Sequence, residues 1–531
     1  MLKLRIHQLD LPPDYTPEQL RQAAARALHS TPAVVSNVKT VRRSIDARGG
    51  SPRLTVAVDV AFAGKVPAGL RDVETVREPE FDRLPVISND TGPRPLVVGA
   101  GPAGLMAALA LAESGLHPLL IERGEAAAPR AQRVAAFWKD GALDGESNVL
   151  YGEGGAGLFS DGKLTSRSKD RPRMRRFLEV LVSCGAAPDI LIDAEPHIGS
   201  DVLQELVPAL RHRIIERGGE VRFGARLERL EIENGAVRGA MISGSGFRTD
   251  CCVLATGHSA RDIYERLAAQ GVPLEPKPFA VGVRLEISQH RIDAAQWGGP
   301  YANLGSASFR LTRKAEGQAR ACYSFCMCPG GLVIACASSA GLLTTNGMSL
   351  STRARPFGNA AFLVPVLPED FPLAGAPGLS GIEFQKKTEA AAFAAGGSDY
   401  TLPAQRLLDY LAGATPAELP AARSCTRARP AQLCGLLPEF AEATLRRALP
   451  HMLRGLRGVL LEEALLYAAE TRSSSPVRVV RGEDGQSRGV RGLYPCGEGA
   501  GYAGGIVSSG IDGLCVAEAV IRNRAGGTSG K

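Results

Sequence analysis

The chain has 531 residues, of which 44% are apolar and 22% are charged, and its formal net charge is +7. This length predicts about three domains at ~150 residues each, and the composition excludes an intrinsically disordered protein. There is no run of about eighteen apolar residues and no signal-peptide pattern at the N-terminus, so we expect a cytoplasmic protein without membrane spans. The eleven cysteines are then expected to be reduced thiols.

The first 85 residues are predicted to form a small α+β module. "LKLRIHQLDL" alternates as a strand does, and "TPEQLRQAAARALHS" is typical of a helix with Thr16 as N-cap and Pro17 at its first position. Two further strand-like runs, "NVKTVRRSID" and "LTVAVDVAF", complete a β-α-β-β order. The segment "REPEFDRLPVISNDTGPRP" is expected to tether this module to the next domain.

The stretch "PLVVGAGPAGLMAALALAESGLHPLLIERG" has the pattern of a strand, a glycine-rich turn, a helix and a second strand. In such a unit Gly99 permits the tight turn, Gly101 lets the backbone approach a pyrophosphate, and Gly104 lets helix and strand pack closely. Pro102 and Ala103 then open the helix, whose free N–H groups favour phosphate. The pattern therefore predicts a dinucleotide site.

Glu122 ends the second strand of this unit, eighteen positions after Gly104. A carboxylate there can accept hydrogen bonds from a ribose 2′-OH, which a 2′-phosphate lacks. We therefore expect the ADP half of NAD or FAD and not that of NADP.

Further along, "DVLQELVPALRHRIIERG" has helical periodicity and should end at Gly218-Gly219. Asn234-Gly235 predicts a tight turn between two strands of a meander, which leads into the strand of "DCCVLATGHSARD". The region 265–485 is mixed, and "SDYTLPAQRLLDYLAG" within it is predicted to be helical.

A flavoprotein must also enclose the isoalloxazine ring with segments distant from the first motif. Three stretches are suited to enclosing it, namely "NVLYGEGGAGLFSDGKLTSR", "VLATGHSARD" and "GLYPCGEGAGYAGGIVSSGIDG". No second strand-turn-helix unit for a nicotinamide nucleotide occurs. We therefore expect that the substrate reduces the flavin, or that NAD(P)H does so while bound transiently without a domain of its own.

At these motifs the chain resembles the uncharacterised FAD-dependent dehydrogenases of bacteria, within the glutathione-reductase-type flavoproteins. The stretches "VRRSIDAR", "FCMCPGG", "TNGMS", "FQKKTEAAAFAAGG" and "ETRSSSPVR" also match, so the resemblance covers nearly the whole chain. It implies an α/β fold in which a doubly wound, Rossmann-type FAD-binding domain carries an inserted β-rich substrate domain and an N-terminal α+β module. The expected segments are 1–85 for the module, 94–264 and 486–523 for the FAD-binding domain, 265–485 for the substrate domain, and 524–531 for a disordered tail.

The resemblance also implies a set of cofactor-binding residues. Glu122 would bind the adenosine ribose, Arg123 would flank the adenine, Arg133 would approach the pyrophosphate and Glu498 would hold the ribityl or pyrophosphate side. The N–H groups near Gly505 and Ile506 would face flavin N1 and O2, where reduction places negative charge. The remaining implied residues are Gly99, Gly101, Pro102, Ala103, Gly104, Gly154, Gly155, Ala156, Gly157, Ser160, Asp161, Gly162, Lys163, Ala255, Thr256, Gly257, Gly497 and Gly504.

Several other residues are weaker candidates, and no catalytic residue can be assigned from the sequence. Cys326 and Cys328 are expected to alternate onto one buried face of a strand with Cys322 nearby; a metal site is not expected, and a substrate-facing thiol is the alternative. His258 is expected to be a neutral, hydrogen-bonded histidine near the cofactor rather than a general base. Candidates by position alone are Lys163, Tyr502 and Asn346, and an anion-attracting role for Arg423, Arg427 and Arg429 competes with a solvated loop.

The sequence therefore predicts an FAD-dependent dehydrogenase or reductase that transfers a hydride between a small-molecule C–H, C–N or C=C centre and flavin N5. A flavin monooxygenase is the first alternative, although "CGEGAG" stands where those enzymes carry a "GD" pair. The second is an FAD-stabilised, RNA-associated protein. The expected partner is a small-molecule substrate; we expect no membrane, and the modest charge and 5% aromatic content argue against nucleic acid.

Overall fold

A computed structural model describes residues 1–48, 51–66, 69–76, 85–87, 91–298, 304–317, 320–371, 378–416, 418–425 and 427–527. Part of the predicted tether, 77–84 and 88–90, lies outside these residues. Within the described ranges, no helix combines the length and the apolar character that crossing a bilayer requires.

The α-helices are α1 (Pro17–Ala27), α2 (Pro102–Glu113), α3 (Ala127–Asp140), α4 (Arg171–Ser183), α5 (Ser200–Glu216), α6 (Arg261–Ala269), α7 (Gln289–Trp297), α8 (Ser380–Ala395), α9 (Leu407–Ala412), α10 (Glu439–Leu453) and α11 (Ile506–Gly527). The strands are β1 (Leu2–Leu11), β2 (Val35–Asp46), β3 (Arg53–Phe62), β4 (Val73–Thr75), β5 (Leu96–Val98), β6 (Leu119–Ile121), β7 (Glu220–Arg222), β8 (Leu227–Glu233), β9 (Ala236–Ile242), β10 (Ser245–Arg248), β11 (Cys252–Leu254), β12 (Leu274–Pro276), β13 (Phe279–Ser288), β14 (Thr312–Arg313), β15 (Cys322–Cys328), β16 (Gly331–Cys336), β17 (Thr344–Ser349), β18 (Phe357–Val366), β19 (Leu402–Arg406), β20 (Ala428–Pro430), β21 (Leu465–Glu470), β22 (Val477–Val479) and β23 (Leu493–Pro495).

The N-terminal module is a four-stranded antiparallel sheet, in the order β2-β3-β1-β4, with α1 packed on one face. The predicted cap of α1 is confirmed as a capping box: the Gln19 N–H donates to Thr16 Oγ1 at 3.2 Å, and the Thr16 N–H donates to Gln19 Oε1 at 2.7 Å. These bonds satisfy two N–H groups that the first turn of a helix cannot pair internally. The strand-helix-strand-strand order predicted for this region is confirmed at the level of its elements.

Five parallel strands, in the order β23-β11-β5-β6-β7, form the sheet that carries the glycine-rich turn. They come from three separate parts of the chain, since β5 to β7 precede residue 223, β11 follows the meander and β23 lies near the C-terminus. Parallel strands place their carboxyl ends at one edge, where ligands bind in open α/β sheets. The three glycine-rich stretches are thereby brought to the same edge.

The two faces of this sheet are covered differently. Val97, Leu120 and Val253 pack in one core with α2, α4, α5 and α11. The alternate residues, including Val98 and Ile121, pack in another core with the meander of β8 to β10 and with α6. Because successive strand residues point to opposite faces, this split follows from the alternation itself. Helices therefore pack on both faces, as in a doubly wound sheet, but on the second face α6 shares the cover with the three-stranded meander.

A mixed seven-stranded sheet dominates the region 279–470, in the order β14-β15-β18-β13-β21-β19-β20. Its face is packed by α7, α9 and α10 in a separate core. The helix predicted for "SDYTLPAQRLLDYLAG" is wrong in its first half, because Leu402–Arg406 is the buried strand β19 and only Leu407–Ala412 is helical. Pairing with β21 overrides the local pattern there.

Other local predictions are confirmed. Asn234 and Gly235 have φ values of 50° and 68°, as a tight turn with two left-handed residues requires, and they join β8 to β9. Helix α5 ends just before Gly218, whose φ is 87°. The C-terminal segment differs: α11 continues to Gly527 into the predicted tail 524–531, whose last four residues lie outside the described part of the chain.

The N-terminal module contacts the segment between α4 and α5 and the residues that precede β14. Arg43 of β2 donates to the carboxylates of Asp193 and Asp189 at 2.8 and 3.1 Å. Its backbone pairs with the same segment, since the Arg43 N–H donates to Ile192 O at 2.7 Å and the Arg43 carbonyl accepts from the Ala194 N–H at 2.8 Å. Leu304, which precedes the seven-stranded sheet, packs against the core of the module. The module therefore lies over the cleft between the two sheets.

Candidate functional site

A cavity of ≈ 2820 Å³ lies between the five-stranded sheet, the seven-stranded sheet and the N-terminal module. Pockets for a single small ligand are typically ~300–1,000 Å³, so this cavity has room for a dinucleotide and a second molecule. Of the residues predicted to bind a cofactor, all but Gly104, Arg133, Gly154 and Gly497 line its wall. His258, Cys326, Asn346 and Tyr502 line it too.

The glycine-rich turn forms one end of the cavity. Gly99 has a φ of 104°, and a Cβ there would overlap the carbonyl of Ala255 on the neighbouring strand. A Cβ on Gly104 would overlap the carbonyl oxygen of Gly99, so this residue permits helix and turn to pack behind the wall. Gly101 differs, because the nearest atom to its Cβ position is Gly155 Cα at 3.9 Å. Its missing side chain leaves open space on the cavity side.

Helix α2 begins at this turn without a side-chain cap. The first N–H groups of a helix have no intrahelical partner and, with the helix dipole, favour an anion. Gly101 is the N-cap residue, and it lines the cavity together with Pro102 and Ala103. The turn therefore presents backbone N–H groups to the space that Gly101 leaves open.

Glu122 is buried at the end of β6, and three backbone N–H groups fix its carboxylate. They come from Ala100 at 2.9 Å, Gly124 at 2.9 Å and Gly152 at 3.1 Å. A carboxylate has about four acceptor sites, so one position remains for a ligand hydroxyl. The side chain lines the cavity, and it also ties together three loops, which no sequence pattern indicates.

Arg123 and Arg133 lie in different environments. The Arg123 guanidinium lies 4.4 Å from the centre of the Tyr151 ring and donates to Glu146 and Asp262, so these contacts fix its position at the cavity wall. Arg133 is exposed and reaches Glu125 at 3.4 Å, outside the cavity. The structure does not bring it to the other candidate residues.

Arg130, one helical turn before Arg133, was not identified from the sequence. It is fully buried and donates to the carbonyl groups of Asn148, Val149 and Glu153 at 2.9, 2.9 and 2.6 Å. These bonds fix the loop that precedes the second glycine-rich stretch. Arg130 could have been identified from the sequence, because it lies one helical turn before the candidate Arg133.

The second glycine-rich stretch forms the long wall. Residues Gly155–Phe159 make a 3-10 turn. Ser160 Oγ donates to Gly157 O at 2.7 Å. Asp161 accepts from Arg353 Nε at 3.0 Å, and its carboxylate lies 3.2 Å from Lys163 Nζ. This buried group is held ionised, since Lys163 and Arg353 lower its pKa against the effect of burial. Arg353 lines the cavity and carries no sequence motif that marks it.

The C-terminal stretch forms the opposite wall. The Gly497 N–H donates to Asp512 Oδ2 at 2.7 Å behind the cavity surface. Tyr502 accepts from the Arg481 N–H at 3.0 Å, and the Arg481 guanidinium lies 3.8 Å over its ring. This tyrosine is therefore fixed by structural contacts. Gly504, Gly505 and Ile506 lead from it into the first turn of α11 and line the cavity.

The carboxyl group of Glu498, on this wall, has a pKa near neutrality. Burial raises its pKa to about 7, and the nearby Lys277 ammonium opposes that rise only partly. Lys277 donates to Ser474 Oγ at 2.8 Å, so its position is fixed. At neutral pH the Glu498 carboxyl is therefore close to half protonated and can either donate or accept a hydrogen bond.

His258 lines the cavity with Ala255, Thr256 and Gly257 and is neutral at pH 7. Burial lowers its pKa to about 4, and the charges of Arg472 and Arg261 contribute to that lowering. Both arginines are bidentate on the buried carboxylate of Glu389. Arg472 also lines the cavity and, like Arg353, is a residue that the sequence did not single out.

The cysteine prediction needs correction. Cys326 and Cys328 do not share a buried face, because β15 carries a bulge between Phe325 and Cys328 and Cys326 has a φ of 43°. Arg284 and the Cys328 thiol donate to the Cys326 carbonyl at 3.2 and 3.3 Å and hold the bulge. Cys328 and Cys322 are buried, whereas Cys326 is exposed to the cavity. No group of metal-ligating side chains that could hold an ion occurs among the described residues.

The arginine-rich stretch lies elsewhere. Arg423 donates to Pro420 O at 2.7 Å, Arg427 to Lys139 O at 2.9 Å and Arg429 to Gly396 O at 3.3 Å. None of the three lines the cavity. They hold loops together and supply no positive charge to the site.

Comparison with known proteins gives matches along most of the chain. Residues 94–136 match the FAD binding domain, residues 278–473 match the family described as FAD-dependent protein, C-terminal domain-like, and residues 3–61 match a domain of unknown function. An uncharacterized protein of Clostridium beijerinckii is 38% identical over 532 residues, which cover 98% of this chain and 99% of that protein.

More distant similarities are shorter or weaker. A D-amino acid dehydrogenase of Xylella fastidiosa is 48% identical over 42 residues, 8% of this chain and 10% of that protein. Among solved structures, glycine oxidase from Bacillus cereus is 12% identical with a TM-score of 0.33, over 81% of this chain and 95% of that chain. L-proline dehydrogenase from P. horikoshii is 13% identical with a TM-score of 0.34, over 83% and 95%.

Proposed function

Since this chain belongs to the family of FAD-dependent proteins that includes the Clostridium beijerinckii protein, with FAD as its cofactor, we propose that it is a dehydrogenase or reductase acting on a small molecule. When bound, FAD would exchange a hydride at flavin N5 with a C–H, C–N or C=C centre of the substrate. The observation that carries this proposal is the continuity of the cavity. It runs from the glycine-rich turn to a chamber walled by the seven-stranded sheet.

The residues present fit FAD. The uncapped start of α2 and the open space at Gly101 suit a pyrophosphate, and the fixed carboxylate of Glu122 retains one acceptor site for a ribose hydroxyl. Arg123, over the Tyr151 ring, would flank the adenine. We assign Gly155 to Lys163 and the first turn of α11 to the flavin ring, on the support that both line the same cavity.

Backbone and side-chain groups of the protein would place charges and hydrogen-bonding groups around the flavin ring. The first turn of α11 places backbone N–H groups beside Ile506, where they would stabilise negative charge. Lys163, held by Asp161, adds a fixed positive charge to the same cavity. Glu498 can hold or release a proton near pH 7, and His258 stays neutral and supplies a hydrogen-bonding ring without charge. Orientation of the substrate against this wall is the main catalytic contribution we assign to the protein.

Anaerobic reduction of the flavin tests this proposal. The holoprotein is mixed without oxygen with NADH, with NADPH and with sets of amino acids, hydroxy acids and unsaturated acids, while flavin absorbance is followed. For a dehydrogenase, we expect an amino or hydroxy acid to bleach the flavin without oxygen and to yield an equal amount of oxidised product. For a reductase, we expect NAD(P)H to bleach the flavin and an unsaturated acid to restore its absorbance without oxygen, with an equal amount of reduced product. Bleaching by NAD(P)H alone, with product that forms only when oxygen is consumed in equal amount, would instead establish a monooxygenase.

A further inference from the structure

The cavity extends beyond the residues assigned to FAD. Its outer end is lined by β2 of the N-terminal module, by residues 165–168 and by the strands β14 and β15. A cofactor that occupies the turn, the long wall and the start of α11 would leave this end open to a second molecule. We call this region the outer chamber.

Three parts of the chain meet at the outer chamber through one short segment, 192–196. The module pairs with it through Arg43. The second glycine-rich stretch pairs with it because the Leu164 N–H donates to Pro196 O at 2.8 Å. Arg310, which precedes β14, forms an ion pair with Glu195 at 2.7 Å. Three further cations that line the cavity, each within four residues of one of these contacts, belong to the same chamber: Arg42, Arg167 and Lys314.

The acidic residues of the outer chamber are already paired. Asp46 binds Arg48 at 2.5 Å, Asp193 binds Arg43 at 2.8 Å and Glu195 binds Arg310. Among the described residues, by contrast, no ion pair or hydrogen bond is formed by the side chains of Arg42, Arg167 and Lys314. The chamber therefore carries three uncompensated positive charges beside the proposed flavin site.

We propose that the outer chamber binds a small, multiply charged anion, so that the substrate class of the proposed dehydrogenase is a compound with two or more carboxylate or phosphate groups. This inference rests on the proposed function. Like charges that line one cavity repel until a counter-charge lies between them, and the guanidinium groups of Arg42 and Arg167 match the two oxygens of a carboxylate or phosphate. The N-terminal module then has a role, since its Arg42 completes a site that the two sheets leave incomplete.

Calorimetric titration tests the inference on the full-length protein as purified. The probes are citrate, for carboxylates, and inorganic pyrophosphate, for phosphates, each at constant ionic strength held with sodium chloride. We expect saturable binding of at least one probe, and which probe binds more tightly identifies the chemistry. The variant R42Q/R167Q/K314Q should bind it at least about tenfold more weakly, as the loss of charge-assisted hydrogen bonds predicts.

A matched control is R26Q/K39Q/K387Q, which removes three exposed cations that do not line the cavity and should bind the probe as the wild type does. If the triple variant loses FAD, probe binding by the single variants of Arg42, Arg167 and Lys314 is compared with that of the wild type instead. The inference is overturned if neither probe binds, including the case in which tRNA binds through these cations instead. It is also overturned if the two triple variants bind the probe equally tightly. A protein that binds the probe, but whose flavin neither accepts a hydride from an organic substrate nor transfers one to it, would overturn the proposed function and leave the anion site standing.

Discussion

The carboxyl of Glu498 is the titrating group of the C-terminal wall whose state changes near neutral pH. Its folded pKa is about 7, raised from 4.5 by burial. Between these two values the unfolded chain releases the proton while the folded chain retains it, so the stability of the folded state falls as pH rises. The stabilising effect is complete below pH 4.5 and is lost above pH 7.

Replacement of Glu498 by glutamine should remove this pH dependence. We expect the FAD-free wild type to lose about 1–3 kcal/mol more of its free energy of unfolding than E498Q does between about pH 5 and about pH 8. Urea unfolding at the two pH values measures this difference, and the other carboxyl groups cancel in the comparison. Equal losses in the two proteins would show that the Glu498 carboxyl is already ionised at the lower pH.

Cys326 offers a chemical probe of the cavity. All eleven cysteines are described, and Cys326 is the exposed one. Cys326 lines a deep cavity. Its position inside the cavity raises the pKa of its thiol, and the positive charge of Lys163 opposes that rise. We expect iodoacetamide to label Cys326 first in the FAD-free protein at alkaline pH, and FAD to slow that labelling. Peptide mass spectrometry identifies the site, with C326S as the control. First labelling of another cysteine, or no protection by FAD, would contradict this placement.

Among the elements, the glycine-rich turn and α2 contain one glycine that we assign to FAD binding and another that close packing requires. A Cβ at Gly101 has no atom nearer than 3.9 Å, whereas one at Gly104 would overlap the Gly99 carbonyl. G101A should therefore fold with an unfolding free energy within about 1 kcal/mol of the wild type but bind FAD at least about tenfold more weakly. G104A should be destabilised by about 2 kcal/mol or more. Urea unfolding and FAD titration of both variants measure the two effects, and normal FAD affinity in G101A would contradict the assignment.

Local chemistry predicts some elements well and cannot predict others. The capping box at Thr16 and the Asn234-Gly235 turn depend on neighbouring residues alone, and both are found as expected. The bulge that turns Cys326 toward the cavity depends on Arg284, which lies more than forty residues away, so alternation alone indicates the wrong face. Strand β19 has the local pattern of a helix, and it forms a strand because it pairs with β21, which is also distant in sequence.

In the molecule as a whole, the N-terminal module depends on Arg43 for its position over the cleft. R43Q should weaken the pairing of β2 with 192–194 by about 1 kcal/mol, and so raise amide exchange in that segment about fivefold. Hydrogen exchange with mass spectrometry measures this. R48Q is the matched control, because Arg48 is 91% exposed and pairs with Asp46, two residues before it in the module itself. Equal exchange in R43Q and R48Q would show that other contacts hold the module.

The cavity wall shows why the site was only partly predictable. Its glycine-rich segments carry recognisable patterns, since phosphate binding requires a defined turn and helix start. Arg353 and Arg472 reach the wall from other parts of the chain through non-local packing. Arg472 lies in the stretch "ETRSSSPVR", but neither residue has a spacing that indicates a place at the cavity. The outer chamber is harder still to predict from the sequence, because it forms only where the N-terminal module meets the rest of the chain.

Equilibrium dialysis with FAD and NAD⁺ decides whether the cavity between the two sheets holds FAD with its pyrophosphate at Gly101. We expect one FAD per chain, no displacement by excess NAD⁺, and loss of binding in G101A while the variant stays folded. Binding of NAD⁺ in place of FAD, or full retention of FAD in folded G101A, would show that the glycine-rich turn does not hold FAD in this way.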